Sequence, residues 1–140
     1  MKVMLTGGTG FIGGHLLRAL TSAGHDVRLL VRDAEKLERM IGLQGIEADV
    51  DYVIGDMVDP ATVQASLEGC DACIHAAAFT SLDPSLMDQA LAINGPGAQL
   101  ILDTAHQQGC DPIIHVSTMS VIFPPSGNLL SGEDPVHGGG

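Results

Sequence analysis

Basic residues are scarce in this sequence: six Lys and Arg stand against 17 Asp and Glu, a net charge of −11 over 140 residues. Nucleic acid and anionic membrane surfaces both need clustered cations, so neither is expected as a partner. A phosphate-bearing ligand therefore has to be held mainly by backbone amides, with one or two well-placed cations. Long apolar runs are missing too. None reaches the roughly 18 residues a membrane-spanning helix needs, and the N-terminus has neither the charged start nor the cleavage site of a signal peptide, so a cytoplasmic location is expected. Cysteines number three, Cys70, Cys73 and Cys110, an odd count that gives no disulfide framework and fits a reducing compartment. Cys70-x-x-Cys73 has the spacing of a metal or redox pair. Cys73, however, sits in an apolar strand running into Ile74-His75-Ala76-Ala77, and no metal site is expected. The length allows one domain with a single core, and an apolar fraction of 45% suits an α/β fold with a buried sheet.

What is present is concentrated at the start. Lys2-Val3-Met4-Leu5-Thr6 is a short apolar strand, followed by Gly7, Gly10 and Gly13 and then by a helix carrying Leu16, Leu17 and Leu20 on one face. Glycine at 7 allows a tight turn, glycine at 10 lets backbone approach phosphates, and glycine at 13 lets the helix pack close to its strand. The first N–H groups of a helix lack intrahelical partners and lie at the positive end of its macrodipole, which favours an anion there without any basic side chain. This combination predicts a dinucleotide site.

Strand and helix alternate, which predicts a parallel sheet with right-handed crossovers. Strands are expected near 2–6, 26–31, 51–54, 72–76 and 113–117, and helices near 12–23, 34–41, 60–68 and 86–108. The last helix is expected to bury a stripe of Met87, Leu91, Leu100, Ile101 and Ala105. Asp59-Pro60 and Asp83-Pro84 have the form of helix starts, and Gly24 and Gly109 of helix ends. The expected fold is a Rossmann-type, doubly wound parallel sheet of order 3-2-1-4-5 in three α/β/α layers, with the ligand crevice at the carboxyl ends of strands 1 and 4. Residues 1–120 are read as the NAD(P)-binding domain and 121–140 as a Gly/Pro-rich loop.

The end of strand 2 bears on the cofactor. Where an NAD-selecting acid is usual, this chain has Val31 followed by Arg32, and a guanidinium can fork onto a 2′-phosphate. NADP(H) is therefore expected over NAD(H), with Lys36 as a second cation. Asp33 complicates this, since pairing with Arg32 offsets part of its charge. Ala76, Ala77 and Ala78 close strand 4 with small side chains that leave space for a ribose and nicotinamide, while His75 is read as a packed, hydrogen-bonded strand residue.

Thr6 to Gly13 resembles the T-G-G-x-G-F-I-G opening of the extended short-chain dehydrogenase/reductases. The resemblance implies cofactor contacts at Gly7, Thr9, Gly10, Phe11, Ile12 and Gly13. Val31-Arg32-Asp33 is similar to the V-R-D of dihydroflavonol-reductase-type members, where the arginine meets the 2′-phosphate. Asp56-Met57 falls where members bond and pack the adenine, and Asn94-x-x-Gly97 resembles a helix motif whose asparagine props the active site. Aligning Ser117 to Val121 on the S-T/S-x-x-V run of extended members puts Thr118 at the catalytic hydroxyl, with Ser117 or Ser120 taking the role in another register.

The family's Tyr-x-x-x-Lys pair has no match, because the only tyrosine is Tyr52 and Asp56 stands four residues on. The chain is therefore read as the front part of a longer enzyme, inactive alone, acting on a small carbonyl or hydroxyl substrate. Alternatives are an NAD-type sugar-nucleotide epimerase or dehydratase, a 3β-hydroxysteroid-dehydrogenase-like enzyme, and a non-catalytic NADPH sensor or accessory subunit. Family members often pair through helices like that at 86–108, which makes a homodimer a further expectation.

Overall fold

In the computed structural model, which describes residues 1–119, 131 and 133–136, five parallel strands form one sheet. They are β1 (Lys2–Thr6), β2 (Asp26–Val31), β3 (Asp51–Ile54), β4 (Ala72–His75) and β5 (Ile113–His115), ordered β3-β2-β1-β4-β5. The connections are α1 (Phe11–Ser22), α2 (Ala34–Gln44), α3 (Pro60–Leu67) and α4 (Met87–Gln107), with a 3₁₀ turn at Pro84–Leu86 leading into α4. Most of the loop expected over 121–140, together with Ser120 and Val121, lies outside the described residues.

Successive strand residues point to opposite faces, and near-continuous apolar strands therefore feed two cores. Val3, Leu5, Val27, Leu29, Val31, Ala72 and Ile74 pack with Leu17 of α1 and with Leu37 and Met40 of α2. On the other face Met4, Leu30 and Cys73 pack with Val63 and Leu67 of α3 and with Ile101 and Ala105 of α4. Each large side chain so buried contributes about 1.5–3 kcal/mol. At the amino ends of the strands, Asp51 accepts from Arg28 Nε at 2.7 Å and Lys2 Nζ at 3.1 Å. The bond from Arg28 holds its carboxyl below the ordinary carboxylate range.

Aspartates open three of the helical segments. The Asp33 carboxylate accepts from Lys36 N at 3.1 Å at the start of α2, Asp59 from Ala61 N at 3.2 Å at the start of α3, and Asp83 from Ser85 N at 2.9 Å. Gly24 and Gly109 take φ of +79° beyond α1 and α4. The three thiols are buried members of the α3/α4 core region. Burial pushes Cys73 up to about 12 and raises the other two. All three are therefore protonated, and Cys70 and Cys110 donate to backbone carbonyls at 3.5 Å.

Two expectations require correction. Of the stripe assigned to α4, Ile101 and Ala105 are buried but Met87 and Leu91 are 57% and 54% exposed. A helix of 21 residues is about 31 Å long, whereas the four residues of β4 span about 13 Å. Only the C-terminal half of α4 can lie on the sheet. In addition, β5 ends at His115 rather than 117. Val116 N still bonds His75 O at 2.9 Å, after which Ser117 and Thr118 leave the ladder. Among the described residues no helix is long and apolar enough to cross a membrane.

Candidate functional site

The turn after β1 is built by backbone proximity. Gly7 has φ of +75°, and a Cβ there would lie 2.7 Å from the Ala76 carbonyl and 2.8 Å from Ala77 N. Gly10 N donates to Gly7 O at 2.8 Å. A Cβ on Gly13 would come 2.0 Å from Gly7 O and 2.9 Å from Gly8 Cα. The third glycine thus lets α1 begin directly against the residues that follow β1, and the close approach expected between helix and strand is made at the turn joining them. Gly14, to which the sequence reading gave no role, is the residue that brings α1 onto α2, with Met40 Sδ 3.0 Å from where its Cβ would be.

Unlike the segments opened by aspartate, α1 begins at Gly10 with no side-chain cap and no acidic residue in its first turn. Its first amides are therefore left for an external acceptor, and the macrodipole adds a favourable field for an anion.

Beside this turn an open cleft of about 200 Å³ runs along the carboxyl ends of the strands. Enclosed sites for drug-sized ligands run to roughly 300–1000 Å³, so the cleft walls only part of an extended ligand. Of the expected site residues, the cleft brings together Gly7, Thr9 and Gly10 from the turn, Arg32 and Lys36, Asp56 and Met57, and Ala76, Ala77 and Ala78. Thr6, Leu30, Val31, Gly55, Phe79 and Ile93 also line it, although none of them was assigned a cofactor contact from the sequence. Other expected contacts fall outside the lining. Phe11 is 82% exposed and packs edge-on against His15. Ile12 also faces outward, and Gly13 is buried beneath the turn. Ser117 and Thr118 are exposed beyond β5.

Asn94 stands one layer back. Its Oδ1 accepts from Phe79 N at 2.7 Å and its Nδ2 donates to Phe79 O at 2.9 Å. It fixes the backbone of a lining residue rather than lining the cleft itself.

Charge in the cleft is positive at one end. Arg32 and Lys36 are exposed, and among the described residues neither side chain makes an ion pair. The pairing of Asp33 with Arg32 that the sequence allows is not made, because that carboxylate is turned into the start of α2 and accepts from Lys36 N. Asp56 accepts from Val58 N at 3.2 Å, and Thr62 Oγ1 donates to Asp56 O at 3.2 Å. The carboxylate thus shapes its own turn while facing the cleft.

A buried relay sits under the wall formed by Ala76 and Ala77. Thr6 Oγ1 accepts from Ala76 N at 3.2 Å and from Ala77 N at 3.1 Å, and lies 2.7 Å from His75 Nδ1. A hydroxyl has one proton to give. With both lone pairs engaged it donates to His75, so Nδ1 is unprotonated and the proton of the neutral ring is on Nε2. His75 is 1% exposed and stacks on His115 with centroids 5.2 Å apart. Burial, with a smaller contribution from His115, pushes it down to about 4. Thr6 and His75 are 69 positions apart, which is why no local pattern revealed this pairing.

A pH dependence follows. An unfolded histidine titrates near 6.5, so between about pH 6.5 and 4 the unfolded chain takes up a proton that folded His75 refuses, and stability falls with pH. The expected loss across that window is about 2–3 kcal/mol, measured by urea unfolding. His75→Gln should flatten the slope above pH 5, and an unchanged slope in that variant would remove the assignment.

The profile of the 3-beta hydroxysteroid dehydrogenase/isomerase family matches residues 4–137. The chain is 28% identical over 122 residues to sterol demethylase protein B of Methylococcus capsulatus, covering 87% of this chain and 36% of that protein. It is 32% identical over 122 residues to the 4-hydroxy-2-methyl-3-oxo-4-farnesyl-3,4-dihydroquinoline-1-oxide ketoreductase of Stigmatella aurantiaca, covering 87% and 35%. The chain thus spans about a third of the length of these two relatives. Among solved structures it is similar to the dTDP-glucose 4,6-dehydratase DesIV of Streptomyces venezuelae with NAD bound, at TM-score 0.78 and 26% identity, covering 97% of this chain and 45% of that one.

Proposed function

Because the chain belongs to the 3-beta hydroxysteroid dehydrogenase/isomerase family, within the extended short-chain dehydrogenase/reductases, we propose that it is the cofactor-binding part of an NADP(H)-dependent oxidoreductase acting on a small carbonyl or hydroxyl compound. One observation carries the choice of NADP(H): Arg32 follows β2 on the cleft wall with its guanidinium unpaired among the described residues, while Asp33 is committed to α2. A planar guanidinium matches a phosphate bidentately, and Lys36 adds a second cation one turn along.

When bound, the nicotinamide supplies or accepts the hydride. This chain's residues bind and orient. The uncapped start of α1 faces the diphosphate, Arg32 and Lys36 meet the 2′-phosphate, Asp56 and Met57 receive the adenine, and Ala76 to Ala78 leave room for the ribose and nicotinamide. A hydroxyl after β5, from Thr118 or Ser117, orients the substrate oxygen. The reading includes no proton donor from these 140 residues, since Tyr52 lies in β3 away from the cleft. The purified chain is therefore expected to oxidise no NADPH with any carbonyl substrate. Sustained loss of absorbance at the reduced nicotinamide band would overturn that.

A second reading, an NAD-dependent sugar-nucleotide epimerase or dehydratase, is favoured by the likeness to DesIV, solved with NAD. Calorimetric titration with NADPH and NADH separates the two. Tighter NADPH supports the oxidoreductase, and tighter NADH the epimerase or dehydratase.

A further inference from the structure

The cleft floor near Arg32 and Asp56 is Met57, a side chain 9% exposed and packed into the second core. Behind it lies Gly97, buried in the middle of α4. A Cβ at 97 would stand 2.8 Å from Met57 Cγ, 3.1 Å from Cε and 3.2 Å from Sδ. The contact runs along the length of the thioether rather than at its tip, so a small rotation of the terminal methyl does not relieve it. Leu30, Val63 and Ile101 belong to the same core and oppose movement inward, because cores close-packed to this degree have no spare volume. The cleft is the direction left open. Gly95 lies two residues earlier on the same helix, and a Cβ there would meet nothing within 4 Å. The requirement for glycine is thus particular to position 97.

We propose that Gly97 is a positioning residue for the adenine subsite: by carrying no side chain it lets α4 approach closely enough for Met57 to lie flat as the floor, and any larger residue at 97 lifts Met57 into the nucleotide. This rests on the reading of the cleft as a dinucleotide site with its adenine over Met57. It makes the depth of the ligand cleft a property of a helix that reaches the ligand only through a second side chain. It also assigns distinct tasks along one motif, with Asn94 holding the Phe79 backbone and Gly97 setting the height of Met57.

The test is a cycle of four proteins, namely wild type, Gly97→Ala, Met57→Ala and the double variant, titrated calorimetrically with NADPH and with 2′,5′-ADP, which carries the adenosine half alone. Gly97→Ala is expected to weaken both ligands about tenfold. The Met57→Ala background removes the obstructed side chain, so there the same glycine change should alter affinity less than about twofold. The losses are then strongly non-additive, with the glycine change costing about tenfold beside Met57 and less than about twofold without it, a difference that a purely destabilising change would not produce. If Gly97→Ala does not fold, Met57→Ala and the double variant are compared directly, and equal affinities support the placement. A further tenfold loss in the double variant, or undiminished binding by a folded Gly97→Ala, overturns it. A wild type that binds neither ligand overturns the dinucleotide reading, and this placement with it. Binding by wild type with additive losses across the cycle overturns the placement alone.

Discussion

Gly13→Ala is expected to abolish dinucleotide binding and to lower stability by about 3 kcal/mol. The added carbon would lie 2.0 Å from the Gly7 carbonyl oxygen and 2.5 Å from its carbon, and neither is the end of a side chain that can swing aside. Either α1 moves outward or the turn opens. Both displace Gly10 and the uncapped amides, the groups we propose to hold the diphosphate. The control is Gly42→Ala in α2, where a new Cβ meets nothing within 4 Å. There, better helix propensity should raise stability by about 0.5–1 kcal/mol without touching the cleft. Denaturant midpoints and NADPH titration read both effects. A Gly13→Ala protein that binds like wild type would mean that the turn does not hold the ligand.

Arg32→Ala is expected to weaken NADPH on the order of 30-fold while changing NADH less than about threefold, from the loss of a charge-assisted forked bond to phosphate. The side chain is exposed, so the effect should shrink as salt rises. Arg32→Lys should fall between, because it keeps the charge and loses the fork. Equal losses for both cofactors would remove Arg32 as the selector and favour the NAD-dependent reading. Asp33→Asn is the complementary control. Since that side chain accepts from Lys36 N and asparagine also caps helices, NADPH affinity should change little. A marked gain would show that Asp33 offsets Arg32 after all.

How far the site was legible depended on how locally each feature is encoded. The strand, glycine turn and helix over residues 2–22 could be read because each glycine answers a demand within a dozen residues. The place of Arg32 on the cleft could be read because the end of β2 is a fixed position in a doubly wound sheet. Asp33 could not be resolved, since the same carboxylate can face the arginine or the helix behind it. Only the backbone angle at the start of α2 decides between them. The α4 stripe misled because helical spacing records which residues share a face, not how far a neighbouring sheet extends beneath them.

The order of apolar and polar residues by itself determined the alternation of strands and helices and the glycine turn, because these follow from side-chain periodicity and from backbone conformations available within a few residues; the sheet order 3-2-1-4-5 followed only once that alternation and the turn were matched to a doubly wound dinucleotide fold. The tertiary structure alone decided that Thr6 grips His75 across 69 positions, that Asn94 holds Phe79, and that Gly97 lies under Met57. Those contacts join residues brought together only when separate elements pack, and a linear pattern carries no record of which side chains will meet.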